Sequence, residues 1–135
     1  MLVISDLNVK KMFSLAKEHH PIEACGIITA KRSSPQETRF IPMQNIANSK
    51  EFFQFDPVEQ LRVWKEIDNK DEYLWVIFHS HTSSEAYPSR TDINFSSEPD
   101  SHYVIISTDN NVTETMRSFR VSAKRVVEEN IRIQA

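Results

Sequence analysis

The sequence of 135 residues has one cysteine, one glycine and no long apolar run. With Cys25 alone, neither an internal disulfide nor a cysteine-rich closed metal site can form, and a reducing cytoplasm is the compartment that suits it best. With Gly26 alone, the turns are expected to fall to Pro, Asn, Asp and Ser. The end, NIRIQA, carries no diglycine, so the chain is not expected to be a carrier of the ubiquitin type. The longest apolar stretch, LWVIF from Leu74 to Phe78, is far too short to span a bilayer. The start, MLVISDLNVKKMF, has no apolar core behind a basic patch and does not read as a secretory signal. Lys and Arg number 16 against 19 Asp and Glu, a net charge of -3, and they are scattered rather than gathered in a basic stripe. That distribution argues against nucleic acid as a partner. A soluble cytoplasmic protein with no membrane partner is expected.

What is present suffices for a packed core. A hydrophobic fraction of 39% beside a charged fraction of 26% excludes a wholly disordered chain, and the length suits one domain over residues 1–135. After an apolar start at Leu2 to Ile4, Asp6 can cap a helix whose apolar side is Leu7, Met12, Phe13, Leu15 and Ala16, ending before Pro21. ACGIITA reads as a buried strand with Glu23 just before it. TRFIPMQN and EFFQF read as two further strands, the proline marking an edge or a bulge. Asp56 caps a second helix begun by Pro57, with Leu61, Val63, Trp64 and Ile67 turned to the core. YLWVIFHSH is a strand by its aromatic and β-branched content. A short helix is expected between Asp92 and Glu98, then strands at HYVIIST, TMRSFRVS and RVVEENIRI. Helix, strands, helix, strands predicts an α/β domain, a mixed sheet with flanking helices.

The stretch FHSHTSSEAYPSRTD, Phe78 to Asp92, carries the chemistry. Side chains alternate along a strand, so His79 and His81 project from one face, close enough to share an ion, while Ser80 points away. Asp92 can return a carboxylate across the loop containing Pro88. Three protein ligands with a fourth position left to water is the pattern of a catalytic zinc. Hydrolysis then needs a carboxylate to move protons. Composition does not choose it among the glutamates, although Glu23 opens the most buried strand. Ser89 can donate a hydrogen bond to an oxyanion. Each residue also has a plainer reading: a hydrogen-bonded histidine pair, a helix cap at Ser89 or Thr91, a strand-edge charge at Glu23, a small buried thiol at Cys25. His19, His20 and His102 have no ligand-like spacing. The residues alone lead to a possible metal hydrolase.

His79, His81, Ser89 and Asp92 spell H-x-H-x7-S-x2-D, and with Glu23 upstream the chain resembles the JAMM motif of the MPN+ metalloproteases. HPIEACGII, IPMQN, FHSHTSSEAYPSRTD and HYVIIST look like the small single-domain bacterial members, most of all the Mec-type enzymes. The resemblance implies a cytidine-deaminase-like MPN fold. It implies one zinc per chain held by His79, His81 and Asp92, Glu23 as general base and acid, and Ser89 as oxyanion donor. The implied substrate is an amide bond at the C-terminus of a small ubiquitin-like sulfur-carrier protein, with cysteine released in a cysteine-biosynthesis route. The alternative within the family is a peptidase trimming a carrier's C-terminal residues or other peptides. Thr82 stands where many eukaryotic members carry proline after the second histidine, and the chain has no room for their long insertions. Both departures weigh against ubiquitin itself and leave the chemistry intact. An exposed strand edge near the zinc, with the Ser83 to Pro88 loop as one wall, is where a carrier tail is expected.

Two rival classes have discriminating features. A zinc nucleoside deaminase needs H-x-E and P-C-x-x-C, which one cysteine cannot supply. A non-catalytic MPN scaffold typically loses motif residues, and all five are present. Iron or manganese would also suit the ligand set. The sequence leaves the carrier's identity and the oligomeric state open.

Overall fold

Two stretches that are buried on both faces, Cys25 to Ala30 and Val76 to His81, demand a sheet covered on both sides. A computed structural model describing residues 1–135 shows that sheet. In chain order the elements are β1 (Leu2–Ser5), α1 (Asp6–His19), β2 (Cys25–Lys31), β3 (Ser34–Met43), α2 (Pro57–Asn69), β4 (Glu72–His81) and α3 (Arg90–Phe95). They are followed by β5 (His102–Ser107), β6 (Met116–Ser122), β7 (Arg125–Glu129) and β8 (Ile131–Gln134). Six strands form one mixed sheet in the order β3-β2-β4-β5-β6-β7, and β1 pairs with β8 in a separate two-stranded ribbon. Only β4 and β5 run parallel within the large sheet.

Alternation along the strands divides the core into two faces. Ile28, Val76, Phe78, Val104 and Ile106 pack with Leu2 and Ile4 of β1 and with Val9, Met12 and Ala16 of α1. Cys25, Ile27 and Ile77 face the other way, onto Met43 and onto Val63 and Ile67 of α2. Each fully buried aliphatic or aromatic side chain contributes about 1.5–3 kcal/mol, so these two faces account for most of the drive to fold. His79 and His81 continue the α2 face at the C-terminal end of β4, and the fold thereby delivers them to one end of the sheet.

Several boundaries differ from the sequence expectations. Ser5 caps α1, accepting from the Asn8 N–H at 3.1 Å, and Asp6 lies in the first turn. Leu7 and Leu61, expected in the core, are 63% and 59% exposed because they fall on the solvent sides of their helices. Asp56 and Pro57 begin α2 as expected. EFFQF is not a strand; it touches the sheet system through one isolated bridge, Asn45 to Phe55. RVVEENIRI is broken at Asn130 into β7 and β8, which serve different sheets. α3 begins at Arg90, earlier than expected, behind a Ser89 cap. With glycine so scarce, left-handed backbone falls on Asn48, Asp71, Ala123 and Lys124. The last two form the tight β6–β7 turn, where a β-carbon costs about 1–2 kcal/mol per residue. No helix is long and apolar enough to cross a membrane.

Candidate metal centre

Because β4 persists through His81, both histidines stand on the same face as expected, buried at 3% and 4% exposure. His79 Nε2 and His81 Nε2 are 3.1 Å apart, and Asp92 Oδ2 lies 3.1 Å from each. The three atoms make an equilateral triangle. His81 Nδ1 lies 2.8 Å from Glu85 O, which it can only donate to, so its Nε2 presents a bare lone pair inward. Three acceptor-bearing atoms so close cannot all be satisfied by protons on each other. A cation satisfies them together, and two imidazoles with one carboxylate suit a divalent transition metal.

Asp92 reaches the triangle because α3 starts where it does. Ser89 Oγ accepts from the Asp92 N–H at 3.1 Å, and the Ser89 N–H donates to Asp92 Oδ2 at 2.9 Å, a reciprocal capping box. The cap uses a lone pair of Ser89 Oγ, and its hydroxyl hydrogen stays free to donate elsewhere. The cap and the hydrogen-bond donor expected of this serine are therefore compatible.

Glu23 stands back from the triangle. Its ligand atom and those of both histidines all lie within 4.8 Å of one another, yet it makes no hydrogen bond to either ring. It is 2% exposed, and its Oε1 is buried without a partner. An orphaned buried carboxylate oxygen is costly and marks a group kept for chemistry or for a ligand. Burial pushes the Glu23 carboxyl up to about 8; His81 opposes the shift, and Asp92 and Glu51 add to it. A carboxyl near neutrality both accepts and returns a proton readily, and a nearby cation would draw it down again. Burial alone would raise Asp92 as well. Attraction to His79 and hydrogen bonds from both histidines and the Ser89 N–H outweigh burial and hold that carboxyl far below the usual range. Burial lowers His79, keeping it neutral and able to ligate.

Glu23 comes close through strand register. Cys25 pairs with His79 across the antiparallel β2–β4 ladder. Continuing that register puts Ala24 opposite Ser80, as their reciprocal contacts show, and Glu23 opposite His81. Cys25 is a buried thiol in contact with Met43 O, pushed up to about 12 by burial and so inert.

Residues 45–55, whose last five were expected to form a strand, fold over the site as a loop. Asn45 Nδ2 donates to Glu23 O and Phe52 O, at 3.0 and 3.1 Å, and the Phe53 ring stacks on His79 with centroids 4.5 Å apart. Its aromatic content signals a strand, and nothing local reveals that its partners are Glu23, ahead of β2, and His79 of β4. A groove of about 380 Å³ opens beside His79 and Asp92, walled by Phe52, Phe53, Phe55, Trp64, Phe95 and Tyr103. No residue of the Ser83 to Pro88 loop lines it. That loop, expected to form a wall, instead braces His81 from behind through Glu85 O.

Known proteins share this fold and much of this sequence. Residues 8–122 match the family model described as prokaryotic homologs of the JAB domain. The CysO-cysteine peptidase of Mycobacterium tuberculosis is 42% identical over 133 residues, covering 98% of this chain and 91% of that one. The solution structure of a Desulfitobacterium hafniense protein superposes with a TM-score of 0.80 at 28% identity, covering 99% of this chain and 93% of the other. A JAB1/MPN domain protein from Archaeoglobus fulgidus shares the fold, with a TM-score of 0.58 at 17% identity over the whole of both chains. A match across most of the chain, a close full-length relative and the same mixed sheet with flanking helices agree with the motif: the chain belongs to the prokaryotic JAB family, among the small Mec-type members of the JAMM/MPN+ group.

Proposed function

We propose that residues 1–135 form one zinc-dependent hydrolase domain that cleaves an amide bond at the C-terminus of a small ubiquitin-like sulfur-carrier protein and releases cysteine. One observation carries the reading: three metal-binding atoms in a 3.1 Å triangle with an unpartnered, buried carboxyl set just behind them. The similarity to a CysO-cysteine peptidase supports the substrate class. The single buried thiol suits a reducing cytoplasm.

His79, His81 and Asp92 would hold one zinc ion. When bound, zinc would lower the pKa of water and polarise the scissile carbonyl. Glu23 accepts a proton from the attacking water and returns it to the departing cysteine nitrogen. One carbon–nitrogen bond breaks and one carbon–oxygen bond forms, leaving a carrier carboxylate and free cysteine. Ser89 donates its free hydroxyl hydrogen to the oxygen on which negative charge develops. Phe53, stacked against His79, keeps that ring in place and limits water on the groove side.

The test is incubation with a carrier–cysteine conjugate and, separately, with unrelated short peptides. Cysteine should appear from the conjugate alone. Glu23→Gln should retain its metal and lose turnover by about 100-fold or more. Equal cleavage of unrelated peptides would overturn the substrate class, and a Glu23→Gln protein working at the parental rate would overturn the assignment of the proton carrier.

A further inference from the structure

Glu23 precedes the first residue of β2 by two positions, so the strand register places it opposite His81 but gives it no ladder hydrogen bond of its own. Its carboxyl has an oxygen with no partner, so the side chain is not anchored by bonds of its own. Its aim depends on the backbone, and that backbone is bonded at every polar atom. The Glu23 N–H donates to Ser49 O at 3.0 Å, and Glu23 O accepts from Asn45 Nδ2 at 3.0 Å. The following residue is clasped by Ser80: the Ala24 N–H donates to Ser80 Oγ at 2.8 Å, and the Ser80 N–H donates to Ala24 O at 2.9 Å.

We propose that Ser80 and Asn45 are positioning residues that set where the Glu23 carboxyl stands relative to His79 and His81. Ser80 lies between the two histidines, is 1% exposed, and turns its side chain from their face to the Glu23 segment. A single hydroxyl thus ties the ligand strand to the segment bearing the proton carrier. Asn45 holds the same segment from the other side, tying it to the loop over residues 45–55. Its Nδ2 bridges Glu23 O and Phe52 O, and its Oδ1 accepts from the Ala47 and Gln54 N–H groups at 3.1 Å each, so both ends of the amide are fully used. Removing the Ser80 hydroxyl leaves the buried Ala24 N–H without an acceptor and frees the segment to shift. A displacement of about 1 Å at a reacting group costs on the order of 100-fold in rate.

The inference rests on Glu23 being the proton carrier, and its test keeps the two apart. Ser80→Ala, Ser80→Thr, Asn45→Asp and Glu23→Gln are compared with the parent for kcat and KM on the carrier–cysteine conjugate, and for metal per chain. Ser80→Ala should lower kcat about 10- to 100-fold with KM and metal content unchanged, and Ser80→Thr, which keeps the hydroxyl, should recover most of that loss. If Glu23→Gln is inactive while Ser80→Ala turns over like the parent, the positioning role is overturned and the proposed function stands. An active Glu23→Gln overturns both. Metal lost in step with kcat also overturns the proposal, because it assigns Ser80 to the ligand strand alone. Should Ser80→Ala fail to fold, Asn45→Asp decides. It keeps the acceptor for the Ala47 and Gln54 amides and removes the donor to Glu23 O. A fall in kcat at full metal content supports the proposal, and parental kcat overturns it.

Discussion

At Gly26 there is no room for a side chain. A β-carbon there would lie 2.4 Å from Phe78 Cζ and 2.7 Å from the backbone Ile41 O. The Phe78 ring crosses the space the glycine leaves and stacks on Phe40 with centroids 5.2 Å apart. The ring has packed partners and the carbonyl belongs to a neighbouring strand, so neither yields cheaply. Gly26→Ala should therefore destabilise the protein by about 1–3 kcal/mol, read as a lower urea midpoint. An unchanged midpoint would show that β2 and β3 can part without cost. Residues differ in how far their sequence context betrays them. The strand period predicts the shared face of His79 and His81, and the cap spelled by PSRTD predicts how Asp92 is presented. Glu23 is marked only by the buried strand that follows it, since its closeness to His81 comes from pairing between segments far apart in the chain rather than from local spacing. The roles of Asn45 and Ser80 are silent in sequence because the bonds that tie them to the Glu23 segment reach backbone groups distant in the chain.

Element boundaries were legible where local chemistry sets them. Asp56 with Pro57 begins α2, and the buried apolar runs of β2 and β4 carry their own signal. They were not legible where a partner decides. EFFQF has the aromatic content of a strand, but Asn45 ties it into a loop before it can pair. Asn130 redirects one continuous-looking strand to a second sheet. α3 shows most clearly how the site and an element depend on each other. Six residues with none buried are too few to stay helical alone. The helix is held by its cap, and the capping carboxylate is the same Asp92 Oδ2 that lies in the triangle. Stripping the metal with a chelator should speed amide hydrogen exchange across Arg90 to Phe95 more than in β2 or β4. Exchange there that ignores the chelator would remove Asp92 from the ligand set.

For the molecule as a whole, acid is the expected weakness. His102 Nδ1 lies 2.6 Å from Glu129 Oε2, and Arg120 Nη2 donates to His102 Nε2 at 3.1 Å, which fixes the ring as neutral. Glu129 also accepts from Ser118 Oγ at 2.8 Å and pairs with the Met1 amino group at 3.2 Å, so the cluster joins β5, β6, β7 and the start of the chain. Burial lowers His102 from its ordinary value of 6.5. Burial alone would raise Glu129, but the hydrogen bonds of His102 and Ser118 outweigh it and leave the carboxyl below 4.5. Both folded values are depressed, so the unfolded chain binds more protons as pH falls. The cluster's own contribution to stability should decline from about pH 6.5 downward through His102 and further below about pH 4.5 through Glu129, while Glu23, raised to about 8, works in the opposite sense. It is followed as the difference in Tm against pH between the parent and His102→Gln. A difference in Tm that does not change from pH 7 to pH 4 would show that the cluster does not couple to unfolding.

The β2–β4 pairing that sets Glu23 opposite His81 works in one alignment only. A slip of one residue turns Glu23 to the far face, and a slip of two moves it opposite His79, although sheet content and most of the apolar burial survive the second. Turnover is therefore a proofreading signal: among refolded chains with identical circular dichroism, specific activity counts those whose strands were zipped in native alignment.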